Sequence, residues 1–189
     1  MLKPVIVEKT ADLPVDLGDI KLHCQIETGD DDKLLEDYIK SVCDYLDGES
    51  GVLGRAYIDQ TVRQDYSGFQ RKLMLPYGPA RELVSVTYYD ANNQQKAYEG
   101  VNLYNGYSGA FVDLGDANLP ETYIRPDAVS VTYKAGFATV GELPERYKQI
   151  VRLIVAGWDR YRPQIVEGGN SELPFGASEL IHNLKRVPL

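Results

Sequence analysis

Histidine, cysteine, serine and clustered carboxylates could carry chemistry, and this chain sets few of them in workable patterns. Its two histidines, His23 and His182, sit near opposite ends with no HxxxH or HExxH spacing, so no zinc-ligand pair is prepared. Gly106-Tyr107-Ser108-Gly109-Ala110 comes near a nucleophile elbow, but alanine stands where the closing glycine belongs, and the surroundings read as strand and loop rather than strand and helix. Cys24 and Cys43 lack CxxC spacing and read as reduced, mostly buried thiols. Asp30-Asp31-Asp32 could gather a divalent cation, yet no glycine or glutamate follows at calcium-loop spacing. The same aspartates suit a helix start, where carboxylates satisfy free amides and complement the dipole. No GxGxxG or GxxxxGK(S/T) loop occurs. The sequence therefore predicts no catalytic residue, no metal site and no cofactor. The chain is not read as an enzyme.

Tyrosine is the residue in excess, with 14 copies against 4 phenylalanines and 1 tryptophan. Tyr77, Tyr89, Tyr98, Tyr104, Tyr107 and Tyr123 fall in one central block and its loops. A side chain with large area and a polar tip suits a surface buried only on assembly, while half-exposed strand positions account for some of the same residues. Tyr89, Tyr104, Tyr107 and Tyr123 are the candidates for contact between subunits. A carbohydrate-binding groove is a further reading, weakened because Trp158 falls on a predicted core helix.

The formal net charge of -8 argues against a surface that grips phosphates, which needs clustered lysine and arginine. An acidic wall would let a polyanion slide past. No run of apolar residues reaches the ~20 of a membrane helix, and Met1-Leu2-Lys3-Pro4 lacks a secretory signal's apolar stretch, so the expectation is cytosolic retention without membrane contact.

The elements that must position these side chains read as α+β: a helical bundle base from N- and C-terminal helices with an inserted antiparallel β domain. Residues 1–15 read as an extended leader. Asp16 is placed to cap a helix from Leu17 to about Cys24. From Asp31 to Asp47, Leu34, Leu35, Tyr38, Ile39, Val42, Cys43 and Leu46 recur at helical steps. A second such stripe, Tyr147, Ile150, Val151, Ile154, Val155, Trp158 and Tyr161, follows Pro144 and is expected to pack on the first. Residues 16–56 and 138–163 thus form the helical base and 57–137 the β domain. Within that domain Ile58, Gln60, Val62, Gln64 and Tyr66 alternate, and Val-Ser-Val-Thr-Tyr occurs twice, at Val84–Tyr88 and Val129–Tyr133. Gln95 to Tyr98 reads as a hairpin partner after the turn at Asp90-Ala91-Asn92-Asn93, and Ala110–Leu114 as a further strand. Residues 164–189 read as a flexible tail, with the linker Glu167-Gly168-Gly169-Asn170-Ser171 and a short helix from Ala177 to about Lys185. Leu180, Ile181 and Leu184 line one side of that helix, fit either for docking on the chain's own core or for a partner.

In order, these motifs resemble the head–tail connector, or adaptor, proteins of long-tailed bacteriophages, prophages and gene transfer agents. The resemblance rests on Gly54-Arg55-Ala56, Ile58-Asp59-Gln60-Thr61, Leu75-Pro76, the two pentapeptide strands continuing to Asp90 and Phe137, Pro144 with its helix, and Arg160 with Arg162. It covers about residues 15 to 165. It implies a structural role: a ring beneath the portal protein, dodecameric in the virion, extending the DNA channel and presenting a platform for the neck stopper or tail-completion protein. DNA would pass through without sequence-specific binding, and the protein would sit in the virion neck after assembly in the host cytoplasm. The family's C-terminal segment reaches toward the portal, which makes Leu180, Ile181, Leu184, Arg186 and Val187 the portal-interface candidates. Deleting Gly176–Leu189 is then expected to leave the domain folded but abolish portal attachment. A monomeric carbohydrate- or protein-binding module and a neck stopper or tail-completion protein are the alternatives. The long Tyr/Gly stretch Gln94–Tyr123 departs from many relatives.

Overall fold

A computed structural model describes residues 2–48, 51–106, 109–115, 118–161 and 175–185. Among these are four helices and eight strands, the strands forming two antiparallel sheets, so the fold is α+β. The 167–171 linker, Arg162, Tyr107, Ser108, Arg186 and Val187 lie outside the described residues. The chain divides into two compact units, one running through Thr10 and then Arg55–Ala138, the other Ala11–Gly54 and from Thr139 onward.

The second unit holds helices α1 (Leu17–Cys24), α2 (Asp32–Leu46), α3 (Glu145–Arg160) and α4 (Phe175–Leu184). Asp16 caps α1, its carboxylate accepting from the Asp19 amide at 2.7 Å. At the start of α2 the expectation is corrected. Asp31 occupies the cap position without a side-chain cap hydrogen bond, while Asp32 accepts from Lys21 Nζ at 2.7 Å and so ties α2 to α1. A neighbouring helix offers a charged donor, which wins over a weaker local amide. Leu35, Ile39, Val42, Cys43 and Leu46 of α2 are buried, as are Tyr147, Ile150, Val151, Ile154 and Val155 of α3. The two helices pack together, with the rings of Tyr38 and Trp158 edge-on at 5.7 Å. Arg152 of α3 pairs with Glu145 and, at 3.4 Å, with Asp19 of α1; the hydrogen bond from Arg152 holds the Glu145 carboxyl below its ordinary range.

The first unit holds strands β1 (Val5–Lys9), β2 (Gln60–Tyr66), β3 (Lys72–Leu75), β4 (Ala80–Tyr89), β5 (Gln95–Ala97), β6 (Asn102–Gly106), β7 (Gly109–Asp113) and β8 (Val129–Ala135). A five-stranded sheet runs β1-β2-β8-β4-β5 and a three-stranded one β3-β7-β6. One hydrophobic cluster takes residues from both sheets, among them Val62, Tyr66, Leu73, Leu75, Val112, Val131 and Tyr133. The alternation in β2 is realised: Gln60, Val62, Gln64 and Tyr66 are all buried. Burial raises the Tyr66 phenol, whose hydroxyl donates to the Met74 carbonyl at 2.6 Å. Inside the stretch expected as a leader, β1 pairs antiparallel with β2, because three β-branched residues in a row meet an open edge.

The twin pentapeptides lie side by side. Val86 faces Val131, Ser85 faces Thr132 and Thr87 faces Ser130 across the antiparallel β4–β8 ladder. They do not have equal surroundings. In β8 Val129, Val131 and Tyr133 are fully buried, whereas the register shifts between Leu83 and Ser85, so Val84 is the extra residue of a bulge and is exposed. The two valines should therefore respond differently to truncation. Val131→Ala is expected to cost about 1.5–3 kcal/mol and Val84→Ala less than about 0.5 kcal/mol in urea unfolding. Equal losses would contradict the bulge.

Candidate functional site

Because β2, β8 and β4 turn valine and tyrosine toward the core, their alternate residues form a polar outer face. Arg63 and Asp65 of β2, Ser130 and Thr132 of β8, and Ser85, Thr87 and Tyr89 of β4, with Gln95 and Asp127, line a shallow depression of about 240 Å³. Its charges are matched. Asp65, nearly buried, accepts from Ser130 Oγ at 2.7 Å and lies 3.2 Å from Arg63 Nε. Arg125 grips Asp127 through two hydrogen bonds of 2.7 Å, reaches Asn93 at 3.1 Å and covers the Tyr89 ring at 3.7 Å. The hydrogen bonds from Arg125 lower the Asp127 carboxyl and raise the guanidinium. At the β4–β5 turn Asp90 accepts from the amides of Asn92 and Gln94 and pairs with Lys96 at 2.7 Å. The Lys96 hydrogen bond first, and then the Gln94 amide, hold its carboxyl below the ordinary range. Carboxylates already tied to cations are poor general bases. What this face offers is hydrogen bonding and shape.

The chemistry-bearing residues are scattered. His23 on α1 and His182 on α4 are both exposed. Cys24 and Cys43 are not joined in a disulfide, and burial raises the Cys24 thiol. No group of three or more His, Cys, Asp or Glu among the described residues could hold a metal ion. Gly109 and Ala110 of the elbow-like stretch lie in β7, and Ser108 falls outside the described residues.

Of the subunit-contact candidates, the structure brings two together. The Tyr123 amide donates to the Tyr89 carbonyl at 3.0 Å. Tyr123 is exposed, while Tyr89 is half-buried beneath Arg125. Tyr104 lies in the other sheet, exposed and stacked on Phe111 at 5.6 Å. Tyr107 is outside the described residues. Of the portal-interface candidates, Leu180 is half-buried, and Ile181 and Leu184 are buried with Ala177. The helix α4 packs on α3, so closely that a Cβ at Gly176 would lie 3.5 Å from Leu153 Cδ1. Arg186 and Val187 are outside the described residues.

Several exposed apolar residues lie outside the motifs singled out in the sequence: Leu2, Val5, Ile6 and Val7 at the start, Leu22 on α1, and Ile124 beside Tyr123. The available signal was Val-Ile-Val ahead of Glu-Lys, a strand pattern with no polar face, and an isoleucine isolated among Tyr, Arg and Pro.

Comparison with known proteins adds the family level. A family model described as phage gp6-like head-tail connector protein matches residues 14–114. No curated protein matches the chain significantly. Among solved structures, a chain in the neck of an empty gene transfer agent particle, computed with C6 symmetry, is similar with a TM-score of 0.77 and 19% identity, covering 100% of this chain and 97% of that one. A chain of the native gene transfer agent virion gives 0.74 and 19%, with the same coverage. A chain in the neck of the native particle, computed with C12 symmetry, gives 0.67 and 17% over 98% and 97%. At such identities these likenesses speak for the fold.

Proposed function

Because the chain belongs to the phage gp6-like head-tail connector family, a structural protein joining head to tail, we propose that copies of it form a ring in the virion neck, beneath the portal. The family match carries this reading, since residues 14–114 take in α1 and α2 as well as β2 to β7. Two of the similar folds come from neck structures computed with six- and twelvefold symmetry, which supports a ring here, dodecameric by that analogy. Net charge of -8 suits a channel wall that double-stranded DNA crosses without adhering. In this reading the helices of residues 16–56 and 138–163 are the base, and 57–137 is the β domain inserted in it. Residues 164–189 approach the portal, and Arg186 and Val187 make the contact together with whatever α4 exposes. The neck stopper or tail-completion protein takes the opposite side. Tyr89, Tyr104, Tyr107 and Tyr123 remain the proposed subunit contacts. The protein would assemble in the host cytoplasm and act without catalysis.

Electron microscopy of a lysate from a phage or prophage deleted for this gene tests the proposal. DNA-filled or leaky heads beside separate, complete tails are expected. Normal joined particles would overturn the connector reading and favour glycan binding, for which the hydroxyl-lined outer face of the sheet is the place to look.

A further inference from the structure

Among the described residues the strand β1 has a neighbour, β2, on one side and forms an edge of the five-stranded sheet. All five of its residues are exposed, including Val5 at 42%, Ile6 at 45% and Val7 at 58%. Leu2, whose amide donates to the Asp65 carbonyl at 3.0 Å, prolongs this apolar edge. An edge strand showing aliphatic side chains is a template for another chain; Pro4 precedes this one and Glu8 and Lys9 close it beyond a register shift, so its bare stretch is Val5 to Val7.

A second apolar patch lies elsewhere on the same unit. Ile124 is 98% exposed beside Tyr123. It is held firmly: Thr122 bridges Asp90, Tyr123 bonds Tyr89, and the next residue, Arg125, is locked to Asp127 and Asn93. The strands β2 and β8 separate β1 from β4, where this knob is anchored. The two patches differ in form as well, an extended edge and a rigid projection. At the first, exposed Lys3 and Lys9 outnumber Glu8; at the second, exposed Glu121 stands two residues before Tyr123 while Arg125 is paired with Asp127, so their flanks are of opposite sign. Two unlike, complementary patches on one subunit are what a closed ring of identical copies requires, whereas a twofold contact needs one patch that fits itself.

We propose that the Tyr123–Ile124 knob of one copy covers the β1 edge of the next around the ring. This rests on the ring reading above and names the surfaces that build it. The test uses assembled particles carrying Val7→Cys and Ile124→Cys in the same chain, treated with a flexible bis-maleimide. The parent chain, with only Cys24 and Cys43, is the control. The double variant should give a ladder of multiples of the chain in denaturing gels. Particles mixed from the two single variants should stop at dimers, because each copy then offers one reactive end. A ring seen by microscopy without any ladder would overturn the surface assignment and leave the ring standing. Particles that lack a ring of this chain would instead overturn the functional reading. Dimers from Val7→Cys alone would mean that β1 pairs with itself, and a cross-link to a different polypeptide would mean that another occupant covers the edge. Either result sinks the proposal. A second variant, Ile124→Asp, should lose ring formation with its thermal melting unchanged, since that side chain is 98% exposed.

Discussion

Gly136→Ala is expected to destabilise the β unit by roughly 2–5 kcal/mol, enough to leave much of the protein unfolded under conditions where the parent is native. Gly136 follows β8 with φ at +85°, and its amide donates to the Pro79 carbonyl at 2.8 Å. A Cβ there would sit 2.1 Å from the Ile58 carbonyl oxygen and 2.6 Å from its carbon. Both are backbone atoms, and Ile58 is itself bridged to Phe137, so no side chain can swing aside. The left-handed conformation alone costs an L-residue about 1–2 kcal/mol, and the forced backbone shift adds about 1–3 kcal/mol, as overpacking does. Urea unfolding followed by circular dichroism should show a lower midpoint with unchanged slope. Gly100 separates the two contributions. Its φ is +77° and nothing lies within 4 Å of its Cβ position, so Gly100→Ala should pay only the conformational part. Equal losses at the two glycines would refute the clash.

What was legible in the sequence was whatever short-range periodicity dictates. The stripes of α2 and α3 and the alternation of Gln60, Val62, Gln64 and Tyr66 announce their elements, because burying one face is a local requirement. The Asp16 cap was legible for the same reason, as its partner is the amide of Asp19. Long-range pairing was not. Val84 and Val129 open identical pentapeptides, and only the β4–β8 register makes one a bulge and the other core. The strand β6, Asn-Leu-Tyr-Asn-Gly, has little β-propensity and exists because β7 pairs along its whole length. Lys21 outcompeted the local amides for Asp32 from eleven residues away.

The candidate site divides in the same way. An excess of tyrosine drew attention to the β unit without separating Tyr89, pinned under Arg125, from exposed Tyr104 and Tyr123. Tyrosine count measures amphipathic area, while contact depends on which rings remain outside after folding. The bare aliphatic residues Val5, Ile6, Val7 and Ile124 drew no notice, because a hydrophobic residue in sequence is read first as core. Their exposure is a property of sheet order, which places β1 at an edge.

Arg186→Glu combined with Val187→Asp is expected to reduce joined particles by roughly 30-fold or more, the ratio that follows from losing about 2 kcal/mol at an interface anchor. The structure sharpens how that contact must be tested. Removing Gly176–Leu189 would take away α4, whose Ala177, Ile181 and Leu184 are buried in the helical unit. It would uncover the face of α3 on which α4 packs, so attachment and folding would fail together and the result would say little about the portal. The double substitution leaves α4 in place, including the bond from the Lys185 amide to the Ile181 carbonyl at 2.8 Å. It reverses one charge and adds another where a cation and an apolar side chain are proposed to meet the portal, and like-charge or desolvation penalties at an interface act on affinity without touching the fold. The variant should melt with the parent and lose co-sedimentation with purified portal. Undiminished binding would remove Arg186 and Val187 from the contact and leave the exposed side of α4 as the element to test.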